Sequence, residues 1–165
     1  MKKIIVFLFV LTIIYLSVSQ KESKIVIPNS SIRYRIIANS DSVEDQMFKI
    51  KIKEDINQEI MPILESAYSI EESRNLIVNN LSEIDKIVSK YTDDYNVDYG
   101  YNYFPNKTYK GIEYDSGKYE SLVITLGEGL GENYWCVMYP PLCLIDEDNT
   151  TDIEYTTLVR EILDR

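Results

Sequence analysis

Gly117–Asp146 reads GKYESLVITLGEGLGENYWCVMYPPLCLID, and the fold turns on how this stretch pairs. Two apolar runs, Leu122 to Leu126 and Tyr134 to Tyr139, are rich in β-branched or aromatic residues. Each is too short for a stable helix and of the right length for a buried strand. Between them, Gly127-Glu128-Gly129-Leu130-Gly131 places glycine at alternate positions. Such spacing permits positive φ and close backbone approach, and it predicts a hairpin connection inside an antiparallel sheet. It does not predict a phosphate cradle, which needs a helix N-terminus after the glycines, usually with a lysine and a hydroxyl residue. Here the chain runs straight into a strand containing Trp135. Pro140 and Pro141 lack backbone donors, so sheet pairing stops there or passes to an edge. Cys136 and Cys143 flank that break.

Working outward, Ser31 to Asn39 alternates Ile32, Tyr34 and Ile36 against Arg33, Arg35 and Ile37, the period-two pattern of a half-buried strand. Asn39-Ser40-Asp41-Ser42 then offers several N-caps, with no glycine or proline until Pro62. A helix is predicted, with Phe48, Ile52, Ile56 and Ile60 as its apolar stripe, Met47 and Ile63 extending it, and Lys49, Lys51, Lys53, Glu54 and Asp55 mostly on the other face. Ser69-Ile70-Glu71-Glu72 is a capping box for a second helix, whose stripe is Ile70, Ile77, Leu81, Ile84, Val88 and Tyr91. After Thr92-Asp93-Asp94 the alternation Tyr95, Val97, Tyr99, Tyr101, Tyr103 predicts a strand with a tyrosine face. Tyr109 to Gly117 reads as a loop or irregular hairpin arm. The order β-α-α-β-β-β predicts an α+β domain: a mainly antiparallel sheet of about four strands with two helices packed on one face.

The ends carry different signals. Met1-Lys2-Lys3 followed by the uncharged run Ile4 to Val18 is a positive n-region and an apolar h-region, so residues 1–19 are expected to act as a signal peptide or short membrane anchor. That makes the protein exported, with an N-terminal membrane association if the segment is kept. Residues 20–31 read as a linker, 32–146 as one globular domain, and 147–165 as an acidic turn with a short helix on Ile153, Thr157 or Leu158, and Ile162.

Composition narrows the chemistry. The net charge of −10 repels nucleic-acid phosphates and anionic lipid, so no nucleic-acid partner is expected. The chain has no histidine, which removes the commonest general base, Ser-His and Cys-His pairs, and the imidazole ligands of most catalytic zinc sites. Two thiolates fall short of a zinc ligand set, so neither a metal nor a cofactor is expected. Glu120, Glu128 and Glu132 make the best enzymatic case, a carboxylate pair for glycoside or peptidoglycan hydrolysis. Glutamates beside loop glycines are more often solvated, so the chain is not expected to be an enzyme; a passive structural or envelope-binding module is the other class that fits. Cys136 and Cys143 can bridge across the Pro-Pro bend in an oxidising compartment, or stay small buried hydrophobes in a reducing one.

The run Gly127-Glu128-Gly129-x-Gly131-x-Asn133-x-Trp135-Cys136-Val137-x-x-Pro140-Pro141-Leu142-Cys143 resembles the signature of the stage II sporulation protein R family. Ile32 to Ser42, followed by Asp45-Gln46 and Lys49-x-Lys51, is similar to that family's N-terminal motif. Phe104-Pro105 to Gly111, with Gly117 to Glu120, makes a third block, so the resemblance spans roughly Ile32 to Asp146. The chain has Asp115-Ser116 where the family usually has Pro-Ala, and Tyr134 where it usually has Trp. The resemblance implies a signal made in the forespore and exported to the intermembrane space. There it would trigger a membrane-embedded aspartic protease that cleaves the pro-form of a mother-cell sigma factor. On that reading the partner-facing residues are Gly127, Glu128, Gly129, Leu130, Gly131, Tyr134, Trp135, Pro140 and Pro141, where exposed backbone, a stiff bend and rigid aromatic area coincide.

Overall fold

The alternation read in Ile32–Ile37 becomes the central strand of the molecule. The computed structural model describes residues 25–109, 112–145 and 151–164. In chain order the elements are β1 (Ile25–Val26), β2 (Ile32–Ile37), α1 (Val43–Glu59), α2 (Met61–Glu65), α3 (Ile70–Ser89), β3 (Tyr95–Phe104), β4 (Lys107–Tyr109), β5 (Ile112–Tyr114), β6 (Gly117–Leu126), β7 (Asn133–Tyr139), a 3-10 turn (Leu142–Leu144) and α4 (Asp152–Leu163). The expected signal segment 1–19 and the acidic turn after Ile145 lie outside the described residues.

The main sheet has the order β3-β6-β2-β7. The outer pairs, β3 with β6 and β2 with β7, are antiparallel, and the central pair, β2 with β6, is parallel. The α+β class and the largely antiparallel sheet are therefore as the sequence predicts. The predicted hairpin is not: β6 and β7 never pair, because β2 lies between them. Ile32, Tyr34 and Ile36 are fully buried, and a strand so apolar is most stable with a neighbour on each edge.

One face of this sheet carries the core. Ile32, Tyr34 and Ile36 of β2, Leu122, Ile124 and Leu126 of β6, and Met138 of β7 pack under Ile52, Ile56, Ile60, Met61, Leu64, Ile77, Ile84, Ile87 and Val88. Ser42 caps α1 by accepting from the Asp45 N–H, and Ser69 caps α3 by accepting from that of Glu72. The Glu72 carboxylate takes the N–H of Tyr68 at 2.8 Å, one residue earlier than a capping box requires. The α1 stripe needs correction at both ends: Met47 and Ile63 are exposed, and Lys49 occupies the buried side in line with Ile52 and Ile56. Of the tyrosine face, Tyr95 and Tyr99 pack against the helices, whereas Tyr101 and Tyr103 run past them into solvent.

A second layer covers part of the opposite face. β1, β5 and β4 form a three-stranded sheet in the order β1-β5-β4. With α4 it builds a smaller core from Ile27, Ile112, Val137, Leu142 and Val159. Residues 25–27, read as linker, are thus part of the fold, since Ile25 and Ile27 have apolar partners on β5 and α4. The stretch Tyr109 to Gly117, read as a loop or irregular hairpin arm, supplies the end of β4 and all of β5, which pair antiparallel. α4 buries Val159 and packs Ile162, as expected, with Leu163 against the same core, whereas Leu158 is exposed and Val159 takes the inward place expected of it; the Ile153 side chain lies outside the described residues.

Candidate functional site

The Gly127–Glu132 loop crosses the C-terminal end of β2, and there it docks on the turn that leads into α1. All six consecutive backbone N–H groups are engaged. Gly127 donates to the Asp94 carbonyl at 2.8 Å, Gly129 to Leu126 at 3.1 Å, Leu130 to Asn39 at 3.0 Å and Gly131 to Ala38 at 2.9 Å. Glu128 donates to Asn39 Oδ1 at 3.0 Å and Glu132 to Asp41 Oδ1 at 2.7 Å. The loop therefore does not present backbone donors to a ligand, as its glycines suggested. It turns them inward and leaves the side chains of Glu128, Leu130 and Glu132 exposed. The glycines mark the inward positions. A Cβ on Gly127, whose φ is +53°, would lie 2.3 Å from Asn39 Oδ1, and one on Gly131 would lie 2.3 Å from the Ser40 carbonyl oxygen.

The receiving turn is braced from α1. Asn39 Nδ2 donates to the Asp45 carboxylate at 3.1 Å, and Ser40 Oγ donates to the same oxygen. These bonds hold the Asp45 carboxyl below its ordinary value, Ser40 contributing most. Gln46 Nε2 donates to the Ser40 carbonyl at 2.9 Å. Lys49 Nζ donates to the Glu132 carbonyl at 3.0 Å and to Gln46 Oε1. Burial pulls the Lys49 ammonium below its ordinary value, against the opposing charges of Glu132 and Asp41. Asn39, Asp41 and Lys49 are site residues that the sequence reading treated as caps and a solvated face. The signal was available, since Lys49 precedes Ile52 by three and Ile56 by seven and so shares their stripe.

The other expected partner residues lie elsewhere. Tyr134 faces the helices, edge-on to Tyr34 with centroids 5.8 Å apart and with Lys53 Nζ 5.1 Å from its ring. Trp135 projects from the opposite face, edge-on to Phe104 at 5.3 Å, and is half-buried. Pro140 and Pro141 follow β7, so a seven-residue strand, about 20 Å long, separates them from the glycine loop. Cys136 and Cys143 are joined in a disulfide across that bend, with Cα atoms 5.6 Å apart.

The three glutamates considered for hydrolysis do not converge. Glu120 sits near the start of β6, about 20 Å along the strand from the loop that carries Glu128 and Glu132. A hydrolytic carboxylate pair spans no more than about 9.5 Å. Glu120 is instead held by Arg74 Nε at 2.8 and 2.9 Å and by the Tyr99 hydroxyl at 2.7 Å. Among the described residues no three carboxylates or thiols group as metal ligands would.

The family described as Stage II sporulation protein R (spore_II_R) matches residues 28–149, which include the loop, its receiving turn and both cysteines. The chain is 43% identical over 132 residues to "Stage II sporulation protein R" of Bacillus subtilis (strain 168), covering 76% of this chain and 58% of that relative. It thus spans less than two thirds of that relative's length. No solved structure matches the chain.

Proposed function

The chain belongs to the stage II sporulation protein R family, and from that premise we propose that it is an exported sporulation signal. In this reading it leaves the forespore for the intermembrane space and triggers a membrane-embedded aspartic protease, which processes the pro-form of a mother-cell sigma factor. It acts as a ligand and does no hydrolysis itself. The observation that carries the reading is the family match over residues 28–149.

The loop geometry suits a ligand. Leu130 keeps 74% of its surface exposed while its own N–H is bonded to Asn39, so an apolar anchor stands on a backbone that loses little freedom on binding. Glu128 beside it adds charge for orientation and contributes nothing to the core. We assign the loop tip as the protease contact, with Trp135 on the adjoining strand as part of the same surface.

The test is reconstitution of the protease and its pro-sigma substrate with the purified exported domain. Wild-type protein should stimulate cleavage, and the double variant Glu128→Ala, Leu130→Ala should lose at least tenfold in stimulation with an unchanged thermal midpoint. Lys53→Ala and Glu83→Ala on the helices should activate fully. Full activation by the loop variant, with loss from the helix variants, would place the contact on the helices; cleavage of a peptide or peptidoglycan by the domain alone would overturn the ligand reading.

A further inference from the structure

Several cations on the helix side of the molecule are paired with carboxylates, Arg74 with Glu71 and Glu120, Lys86 with Glu83 and Lys90 with Asp55 and Glu59, while Lys49 is held by amide oxygens and Lys53 by the Tyr134 ring. Arg33 and Arg35, two residues apart on β2, are treated differently. Arg33 is 1% exposed. Its guanidinium carbon lies 3.3 Å from the Tyr119 ring centroid, 5.5 Å from that of Phe104 and 5.8 Å from that of Tyr114. Nη1 donates to the backbone carbonyl of Asp115 at 3.3 Å, the Tyr119 hydroxyl and the Asp115 carboxylate favour its charge, and Nε and Nη2 have no hydrogen-bond partner among the described residues. The guanidinium of Arg35 lies 4.8 Å from the same Phe104 ring and 5.9 Å from Trp135, and its Nε is likewise unpartnered. Lys107 Nζ stands 5.0 Å from the Trp135 ring.

Three cations therefore gather around one group of rings in a chain of net charge −10. Ring faces stabilise guanidinium groups through the cation's face and leave its in-plane N–H groups unused. Those N–H groups form the fork that receives a carboxylate in two parallel hydrogen bonds. Two like charges flanking one ring also repel each other, and an anion held between them removes that repulsion. Asp98, on the same sheet face two strands from Arg35, is already taken by Asn102 Nδ2 at 2.8 Å.

The surroundings favour a carboxylate on a peptide. Arg35, Ile37 and Trp135 are each partly exposed, so the mouth of the patch offers apolar contact beside the charge. β7, which carries Trp135, is the outermost strand of the main sheet, so an extended segment can lie along it with alternate side chains on the Trp135 face. The net charge of −10 repels every polyanion at long range, so the choice of a peptide carboxylate rests on the short-range setting, a guanidinium fork beside the apolar surface of Trp135 and Ile37.

We propose that Arg33 and Arg35, walled by Phe104, Tyr119 and Trp135, form a receiving site for a carboxylate side chain of an extended acidic segment on a partner protein. Arg35, partly exposed, receives the carboxylate, and Arg33, 1% exposed behind it, adds its charge from below. The site adjoins the loop tip and shares Trp135 with that surface, but binding at its arginines is read without the protease and so stands or falls apart from protease activation.

Trp135 is the chain's one tryptophan, so its fluorescence reports on the patch directly. Titration of the exported domain with tetraglutamate should give a saturable change, and tetraglutamine should bind at least tenfold more weakly. Raising salt should weaken the tetraglutamate complex. Arg35→Gln should cost at least tenfold in affinity, and Arg35→Lys, which keeps the charge but loses the fork, several-fold. If Arg35→Gln does not fold, Arg35→Lys carries the decision. Equal binding of tetraglutamine, or unchanged affinity in the variant that decides, would overturn the proposal. Saturation by inorganic phosphate or by phosphatidylglycerol vesicles at lower concentrations than tetraglutamate would also overturn it, in favour of a phosphate ligand.

Discussion

The two faces of the main sheet are made from alternate residues of the same strands, and they handle buried charge in opposite ways. On the helix side Glu120 is nearly buried, and Arg74 and Tyr99 occupy both its oxygens. On the other side Arg33 is just as buried, yet two of its nitrogens have no hydrogen-bond partner among the described residues. A buried polar group left without partners costs stability, and the helix side has its own in the hydroxyls of Tyr34 and Ser73, so the contrast is one of charged groups. On the readings proposed above, the helix face secures the fold, and the far face together with the glycine loop meets other molecules.

The sharpest way to break this comparison is to damage both faces equally. Ile124→Ala, in the helix-side core, should cost about 3 kcal/mol in urea unfolding. Arg35→Gln on the far face should cost about 1 kcal/mol or less. Equal losses would mean that the far face is simply more core. Gly131→Ala comes next, at roughly 2–3 kcal/mol, because its methyl would meet the Ser40 backbone oxygen and no rotamer change can relieve that. A loss under about 0.5 kcal/mol by the same measurement would mean that the loop is not seated on the turn. Reduction of Cys136–Cys143 should remove about 2 kcal/mol, the chain entropy of so small a loop. Thiol labelling of unfolded, unreduced protein should accordingly find neither cysteine.

Glu120→Gln should have a similarly small effect, about 1 kcal/mol at neutral pH, since Arg74 is partly solvated. Its signature is in the pH dependence. Burial alone raises the Glu120 pKa, but the hydrogen bonds from Arg74 and Tyr99 outweigh it and leave the carboxyl below its ordinary value. The stabilisation is therefore complete above the unfolded value of about 4.3 and is lost as pH falls through the lower folded value. Urea midpoints of wild type and variant, taken from neutral to strongly acidic pH, should converge on the acid side. Divergence there would reverse the sign.

Local signals carried most of the secondary structure, and non-local pairing was where they failed. The α3 stripe and the Tyr95–Tyr103 alternation are periodicities that any short window shows. That β2 inserts between β6 and β7 is not local information: two strands joined by a glycine loop look the same whether they pair or straddle a third. Arg33 and Arg35 read as the solvent side of a half-buried strand because the covering layer comes from Ile25–Val26 and Ile112–Tyr114, segments too short to carry a period. Within the site, the glycines were legible as special but for an incomplete reason. They admit a neighbouring turn, and that turn is ninety residues away in sequence, as the contact of Glu132 with Asp41 illustrates.

The position of β2 also governs when the protein can exist as a folded object. Both strands that flank it begin beyond Ser116, roughly eighty residues or more after its own end. A ribosome or translocation channel delivers the chain N-terminus first, so β2 emerges early and waits without partners until Tyr139 has followed it. Closing loops of that length makes assembly slow relative to helix formation. Residues 32–139 are thus committed late and nearly all at once. A chain with that timing stays extended through most of its own synthesis, and the loop that rests on β2 is the last part of the site to take shape.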